Sequence, residues 1–337
     1  MQPPVELLRR IAPEEQHASG AGKNGFMGRT ELEQAGLRDY PTIYAVVAGI
    51  FADYSQDEIS NVGRWTFTDR AGNMTYVMPG ELRDVKGIKI IQSHPDNQKR
   101  GLPRSISTLT LFNIQTGQQL EQMDSTDLTS VKSAAESAVV LRGWEHAAQP
   151  ENIRLGIVGG GPNAREHFET FTQLSQRRVV ETRIYSPRTS GKQLVERLQA
   201  EHLDQRISFS GDFDDIVTKS NVVVLSTTSQ QPLLLPHHLD GATDPKLIIA
   251  LGFRDVATEI LEHAAVVVTD DPRDYSRQDL PAGAYMHNHP GKAITIKDVV
   301  NQPHLLKQGT VVFVPFGLGI IDVAVGYHLL QNRNNGK

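Results

Sequence analysis

Arg154-Leu155-Gly156-Ile157-Val158-Gly159-Gly160-Gly161-Pro162-Asn163-Ala164 is the stretch that decides the fold. It is an apolar strand pattern that runs into Gly-x-Gly-x-x-Ala and then into a helical pattern. Gly159 permits a tight turn, Gly161 lets a pyrophosphate approach the backbone, and Ala164 lets the helix lie close to the strand. Pro162 suits a first helical turn, where its missing N–H has no intrahelical partner. The free amides of that turn, starting at Asn163, attract phosphate together with the helix dipole. The short motif alone also fits a strand-to-helix turn with no ligand; what favours dinucleotide binding is the strand before it, the helix after it and the strands downstream.

Downstream the pattern repeats. Strands are predicted near Thr182–Tyr185, Ile207–Phe209, Val222–Leu225, Leu247–Leu251 and Val266–Val268, with helices at about 190–201, 212–219 and 256–263. Continuous apolar runs alternating with helices specify a doubly wound parallel sheet covered on both faces. The second strand ends Tyr185-Ser186-Pro187-Arg188-Thr189 with no carboxylate to accept a ribose 2′-hydroxyl. Ser186, Arg188 and Thr189 suit a 2′-phosphate, so the cofactor is NAD or NADP, with NADP favoured. The other reading makes Arg188 a solvated loop arginine, with NAD bound without the usual acid. Thr227, just past the fourth strand, is expected either to contact the cofactor or to cap the next turn.

Upstream lies a different organisation. Gly20–Gly25 reads as a loop and Tyr44–Tyr54 as a helix. Residues 64–79 form a hairpin around Arg70-Ala71-Gly72-Asn73, with Trp65, Phe67 and Tyr76 among its β-formers. Strands at Ile88–Ile91 and Ser107–Phe112 and a turn at Thr116-Gly117 follow. A helix over Leu128–Glu145 carries the small residues Ser133, Ala134, Ala135, Ser137 and Ala138, a face for close packing against another element or a second subunit. Gln149-Pro150-Glu151-Asn152 has a linker composition. The fold class is thus α/β: a Rossmann domain over 151–304 and a discontinuous α+β domain for substrate binding and dimerisation over 1–150, completed by 305–337. The helix predicted over Ile320–Gln331 packs back on the first domain.

The 337 residues accommodate two domains, and a net charge of −5 argues against a nucleic-acid partner. The chain has no cysteine, which excludes disulfides, thiolate catalysis and cysteine-ligated metals. With no apolar leader and no membrane-length apolar run, the expected location is cytoplasmic, without membrane association.

Further motifs follow one another along the chain: Gly87-Ile88-Lys89, Pro95-Asp96-Asn97, Gly101-Leu102-Pro103, Thr116-Gly117, Leu128 to Ala135, the glycine turn, and Pro315-Phe316-Gly317-Leu318-Gly319-Ile320-Ile321-Asp322-Val323-Ala324. In this order, from about residue 60 to 330, the chain resembles the ornithine cyclodeaminase/μ-crystallin family. Ser93-His94-Pro95-Asp96-Asn97, Gly101-Leu102-Pro103-Arg104, Phe253-Arg254-Asp255 with Glu259-Ile260-Leu261, and Pro315-Phe316-Gly317-Leu318-Gly319 make it similar within that family to one branch. That branch is the N-(2-amino-2-carboxyethyl)-L-glutamate dehydrogenases of diaminopropionate biosynthesis, which serve siderophores and peptide natural products. The resemblance implies a homodimer and an NAD(P)-dependent oxidoreductase acting on the C–N bond of a small amino acid. Hydride leaves the carbon bearing the amine, and the imine formed is hydrolysed. Cyclodeamination of ornithine and reduction of a cyclic ketimine are the enzymatic alternatives, and a cofactor-bound binding protein of crystallin type is the alternative of another class.

The same resemblance implies the site residues. Lys89 matches the active-site lysine, whereas spacing alone reads it as a solvent-facing residue between Ile88 and Ile90. Arg64, before the Met78-Pro79 step, is the carboxylate-gripping arginine or else a surface arginine on the hairpin. Met78 and Lys132 join the substrate site. Lys132-Ser133 stands where the family has Arg-Thr, and a lysine is a point charge rather than a fork. Asp255 is a proton relay or the N-cap of a helix beginning at Val256, and Arg254 suits a second substrate carboxylate. Asp322 lies near the nicotinamide, offsets the charge of the last helix's N-terminus, or both. His287-Asn288-His289 lacks the carboxylates of a metal site, and His94, His237 and His238 read as loop or surface residues.

Overall fold

The computed structural model describes residues 25–53, 59–60, 63–241, 245–252, 254–271, 280–306 and 309–336. The loop expected over 20–25, apart from its last residue, lies outside these residues, as do Tyr54 and Phe253. The chain forms two compact units: one runs to Lys132 and resumes at Leu318, and the other is Ser133–Gly317. Among the described residues no helix is long and apolar enough to cross a membrane.

The first unit is built on a mixed sheet. Its strands are β1 (Phe26–Met27), β2 (Ile59–Ser60), β3 (Trp65–Thr68), β4 (Met74–Leu82), β5 (Val85–Ser93), β6 (Ser105–Asn113) and β7 (Gln119–Asp124). The order is β1-β7-β6-β5-β4-β2, with β3 also on β4. The hairpin expected around Arg70–Asn73 is the β3–β4 pair, in which Trp65 lies opposite Val77. Alternation along β5 separates two faces. Val85, Gly87 and Lys89 are buried, whereas Lys86, Ile88 and Ile90 are exposed.

The C-terminal helix, Gly319–Asn334, packs on β4, β5 and β6. Gly319, Asp322, Val323 and Gly326 fall at i, i+3, i+4 and i+7, one face of a helix. Glycines let this face approach closely. A Cβ at Gly319 would lie 2.5 Å from Pro79 O, and one at Gly80 would lie 2.6 Å from Ile320 N. The short side chain of Asp322 thereby reaches the sheet.

Helices α1 (Arg29–Gln34) and α2 (Tyr40–Asp53) complete the first unit, and α3 (Thr126–Ala148) carries the chain onward. The division at residue 132 falls inside α3, earlier than the boundary expected near 150. The reason is packing within the second unit: the small residues of α3, Ala134, Ala135, Ser137 and Ala138, are buried there, and Ser137 Oγ lies 2.9 Å from His167 Nε2.

The second unit is a parallel sheet of β8 (Ile153–Val158), β9 (Val179–Tyr185), β10 (Ile207–Phe209), β11 (Val222–Leu225), β12 (Lys246–Ala250), β13 (Val266–Thr269), β14 (Ile294–Thr295) and β15 (Thr310–Phe313). The order is β10-β9-β8-β11-β12-β15-β13-β14. Chain direction across the sheet reverses beside β8, the topological switch point of a doubly wound fold. Helices α4 (Pro162–Leu174), α5 (Ser190–Glu201), α6 (Phe213–Lys219) and α7 (Thr258–His263) alternate with the strands. One expectation is corrected. Residues 310–313, assigned with the tail to the first domain, pair parallel to both β12 and β13 and so belong to the Rossmann sheet. Their apolar run, Val311 to Phe313, is buried there; only the segment from Leu318 returns to the first unit.

Candidate functional site

In the first unit the polar site lies inside the protein. Lys89 is 1% exposed, while its neighbours Ile88 and Ile90 are 40% and 39% exposed. The solvent-facing reading of this lysine, drawn from its apolar neighbours, is thus reversed: the isoleucines point out and the lysine points in. A buried ammonium requires a counter-charge. Asp322 supplies it, with Oδ1 at 2.5 Å from Lys89 Nζ. Asp322 Oδ2 lies 3.7 Å from Lys132 Nζ and is buried with no hydrogen-bond partner among the described residues. One carboxylate therefore stands between two buried lysines. Asp322 also falls in the first turn of its helix, where a negative charge complements the dipole.

Met78 is buried opposite Lys89 in the β4–β5 register. Arg64 precedes β3, is half-buried, and has its guanidinium carbon 5.7 Å from the centre of the Tyr76 ring. Tyr76 and Met78 alternate onto the same face as Lys89, so the structure brings Arg64, Met78, Lys89, Lys132 and Asp322 to one side of this sheet.

In the second unit the site is a row of backbone groups at the carboxyl ends of the strands. Gly159 has φ +122°, in the left-handed region that favours glycine, and a Cβ there would lie 2.6 Å from Ser226 O. Gly161 is the N-cap of α4 with Pro162 at its first position; no side chain caps this end and no acid lies in its first turn. A Cβ at Gly161 would meet nothing within 4 Å. The Asn163 Oδ1 atom is buried without a hydrogen-bond partner among the described residues, and Ala164 is fully buried. Uncapped amides, an open glycine and an orphaned acceptor fit a dinucleotide: its pyrophosphate suits the amides and a ribose hydroxyl suits the acceptor. After β9, Arg188 and Thr189 are exposed, and Ser186 Oγ accepts from Arg188 N at 3.2 Å.

Thr227 and Asp255, singled out separately in the sequence, meet. Thr227 Oγ1 donates to Asp255 Oδ1 at 2.5 Å, and Gly252 N donates to Asp255 Oδ2 at 3.0 Å. Burial pushes the Asp255 carboxyl above its usual range, against the opposing hydrogen bonds from Thr227 and Gly252. The capping alternative for Asp255 is corrected: α7 begins at Thr258 with Ala257 as its N-cap, and the Asp255 side chain is turned to Thr227 and Gly252 instead. Arg254, beside it, is half-buried.

Two features escaped the sequence reading. Asp270 accepts from Phe316 N at 3.0 Å and Gly317 N at 2.5 Å, pinning the loop before the last helix. His167 is buried on α4, where desolvation pushes its pKa down to about 4, against a backbone hydrogen bond to Asn163. Both lie in helical or strand-end patterns that carry no local signal for them. His238, expected as a loop or surface residue, has a side chain only 9% exposed, held by Leu235 and Asp214, and His289 is half-buried and stacks on Tyr285.

Comparison with known proteins agrees with this architecture. The model of the ornithine cyclodeaminase/mu-crystallin family matches residues 38–333, and the chain belongs to that family. It is 28% identical over 244 residues to the Delta(1)-pyrroline-2-carboxylate/Delta(1)-piperideine-2-carboxylate reductase of Azospirillum brasilense, over 71% of this chain and 75% of that one. Its fold matches the Thermococcus litoralis Delta(1)-pyrroline-2-carboxylate reductase in complex with NADH and L-proline. There the TM-score is 0.81 at 19% identity, covering 92% of this chain and 98% of the other. An archaeal alanine dehydrogenase dimer with bound NAD gives a TM-score of 0.77 at 22% identity, covering 93% and 97%.

Proposed function

We propose that this family member is an NAD(P)-dependent oxidoreductase acting on the carbon–nitrogen bond of a small α-amino or α-imino acid. The observation that carries the reading is Lys89, an ammonium kept inside the first unit against Asp322 while the apolar side chains on either side face outward. Such a lysine can hold a substrate carboxylate or exchange a proton with the reacting nitrogen. Arg64 and Lys132 add positive charge for carboxylate binding, Met78 lies opposite Lys89 in the sheet, and we assign Arg254 to a second carboxylate. Gly159, Gly161, Pro162, Asn163 and Ala164 would hold the pyrophosphate region of the cofactor, with Thr227 toward its nicotinamide half. Ser186, Arg188 and Thr189 suit the 2′-phosphate of NADP. When bound, the nicotinamide accepts or supplies the hydride.

Two substrate classes are in play. In the first, suggested by the motifs shared with the diaminopropionate-forming dehydrogenases, an N-substituted amino acid loses hydride from Cα. The imine then takes up water and separates into a keto acid and a free amine. The second is reduction of a cyclic imine bearing a 2-carboxylate, favoured by the activity named for the Azospirillum relative. The test is turnover, followed by nicotinamide absorbance. N-carboxyalkyl amino acids are offered with NAD⁺ or NADP⁺ and cyclic imino acids with the reduced forms; ornithine is offered with the oxidised forms and followed by released ammonia, because cyclisation returns the hydride and leaves the nicotinamide unchanged overall. Lys89→Met should cut the rate about 10²- to 10⁴-fold while sparing cofactor affinity. Absence of turnover with every pair would sink the reading and favour a cofactor-binding protein without catalysis.

The partner we propose is a second copy of the chain. Trp65 and Phe67 are each 58% exposed and lie on the same sheet face as Ile88, Ile90 and Ile106, an apolar area larger than scattered surface residues make. A homodimer would cover it. Ile88→Lys with Ile90→Lys should halve the mass measured by light scattering; an unchanged mass, or a monomeric wild type, would reject this interface.

A further inference from the structure

Asp255 has the features of a clamp rather than of a proton carrier. Its side chain joins the chain just after β11 to the chain just after β12: Thr227 Oγ1 is at 2.5 Å, Thr227 N at 3.4 Å and Gly252 N at 3.0 Å. Its own carbonyl accepts from Leu233 N at 3.0 Å and Leu234 N at 2.9 Å, so backbone and side chain of one residue hold three segments. Gly252 must be glycine for this, because a Cβ there would collide with the Asp255 carboxylate. The clamp continues toward the glycine turn. Thr227 Oγ1 accepts from Ser229 N at 3.1 Å, and Ser226, one residue before, donates from its backbone N to Val158 O at 2.8 Å and closes against Gly159. Val158, Gly159, Ser226, Thr227, Gly252 and Asp255 thus form one strip along the carboxyl ends of β8, β11 and β12.

That strip lies on a definite side of the switch point. In a doubly wound sheet the pyrophosphate sits at the first glycine turn and the adenosine half extends over the second strand, here β9. The other half of a dinucleotide then extends the opposite way, over β11 and β12. We propose that Asp255 is a positioning residue that fixes the Ser226–Ser229 loop as the seat of the nicotinamide half, and that it is not the proton relay of the reaction. The inference rests on the dinucleotide reading given under Proposed function. Both oxygens of Asp255 accept from donors of the protein itself, so removing the carboxylate loosens the loop rather than a proton path.

The experiment compares whole cofactor with a fragment. Calorimetry measures the Kd of NADH or NADPH, whichever wild type takes up more tightly, and of ADP-ribose or its 2′-phosphate, which lack the nicotinamide. Asp255→Asn and Thr227→Val should each weaken the whole cofactor about tenfold and leave the fragment within about twofold. Thr227→Ser, which keeps the hydroxyl, should restore the wild-type value. Equal losses for cofactor and fragment would reduce Asp255 to a general fold contact and overturn the proposal. So would intact cofactor affinity with lost turnover, the signature of a proton relay. Should Asp255→Asn fail to fold, the Thr227 pair decides alone. A wild type that binds neither molecule would sink the dinucleotide reading and this inference with it, whereas wild-type binding without the split sinks the inference only.

Discussion

The first unit joins Lys89 to Asp322 across 233 residues of chain, charge against charge in a dry interior. The second unit sets out Gly159, Gly161 and the first amides of α4 within a few consecutive residues, with one side chain, Asp255, drawing two turns together. The first arrangement depends on complementary side chains supplied by distant segments. The second depends on backbone geometry that a short stretch of sequence enforces locally. The two should therefore fail differently when altered.

Removing charge should have the largest effect. Asp322→Ala leaves Lys89 without its carboxylate in a site that water does not reach, and losing one member of a buried pair costs about 3–5 kcal/mol. Urea unfolding followed by circular dichroism should show this loss; a change under about 1 kcal/mol would mean the pair is not a structural centre of the first unit.

The second unit should instead respond to acid. His167 is buried with its pKa pushed down to about 4, below the usual 6.5. The unfolded chain thus takes up a proton before the folded chain does, and stability falls as pH drops from about 6.5 toward 4. Over that window the loss is roughly 3 kcal/mol. Trp144, fully buried in the same unit, reports its unfolding by fluorescence. His167→Gln should flatten this part of the pH profile, and an unaltered slope would assign it to other groups.

A pair of glycine substitutions sharpens the contrast at smaller cost. Gly159→Ala meets both a positive φ and Ser226 O, so fold stability and cofactor affinity should fall together, by about 1–3 kcal/mol. Gly161→Ala faces open space and an ordinary φ of −92°. It should leave the melting temperature unchanged while weakening NAD(P)H binding. Equal behaviour of the two would break the distinction between the turn's shape and its ligand surface.

The same contrast explains what could be read in advance. The parallel sheet was legible because β8, β11 and β12 carry the buried apolar runs Leu155 to Val158, Val222 to Leu225 and Leu247 to Ala250, and the glycine turn because its geometry needs particular residues at adjacent positions. Strand β15 was misassigned because it follows β14 by a long stretch of chain yet inserts between β12 and β13, an order that local pattern does not encode. Asp322 could be connected to the last helix but not to Lys89, since no periodicity links residues on different elements. The burial of Lys89 was hidden for another reason. Hydrophobic alternation assumes that apolar residues face inward, and in β5 Ile88 and Ile90, which flank the lysine, face outward. Thr227 and Asp255 were each legible as polar residues at strand ends, but their bond to one another was not.

The central claim is that the uncapped start of α4, with Gly159 and Gly161 before it, holds a nicotinamide dinucleotide. Calorimetric titration of the folded wild-type chain with NADH and with NADPH tests it most directly. Saturable binding of at least one, abolished or strongly weakened by Gly161→Ala at unchanged melting temperature, is the predicted result. No heat of binding from either cofactor, or binding indifferent to Gly161→Ala, would contradict it.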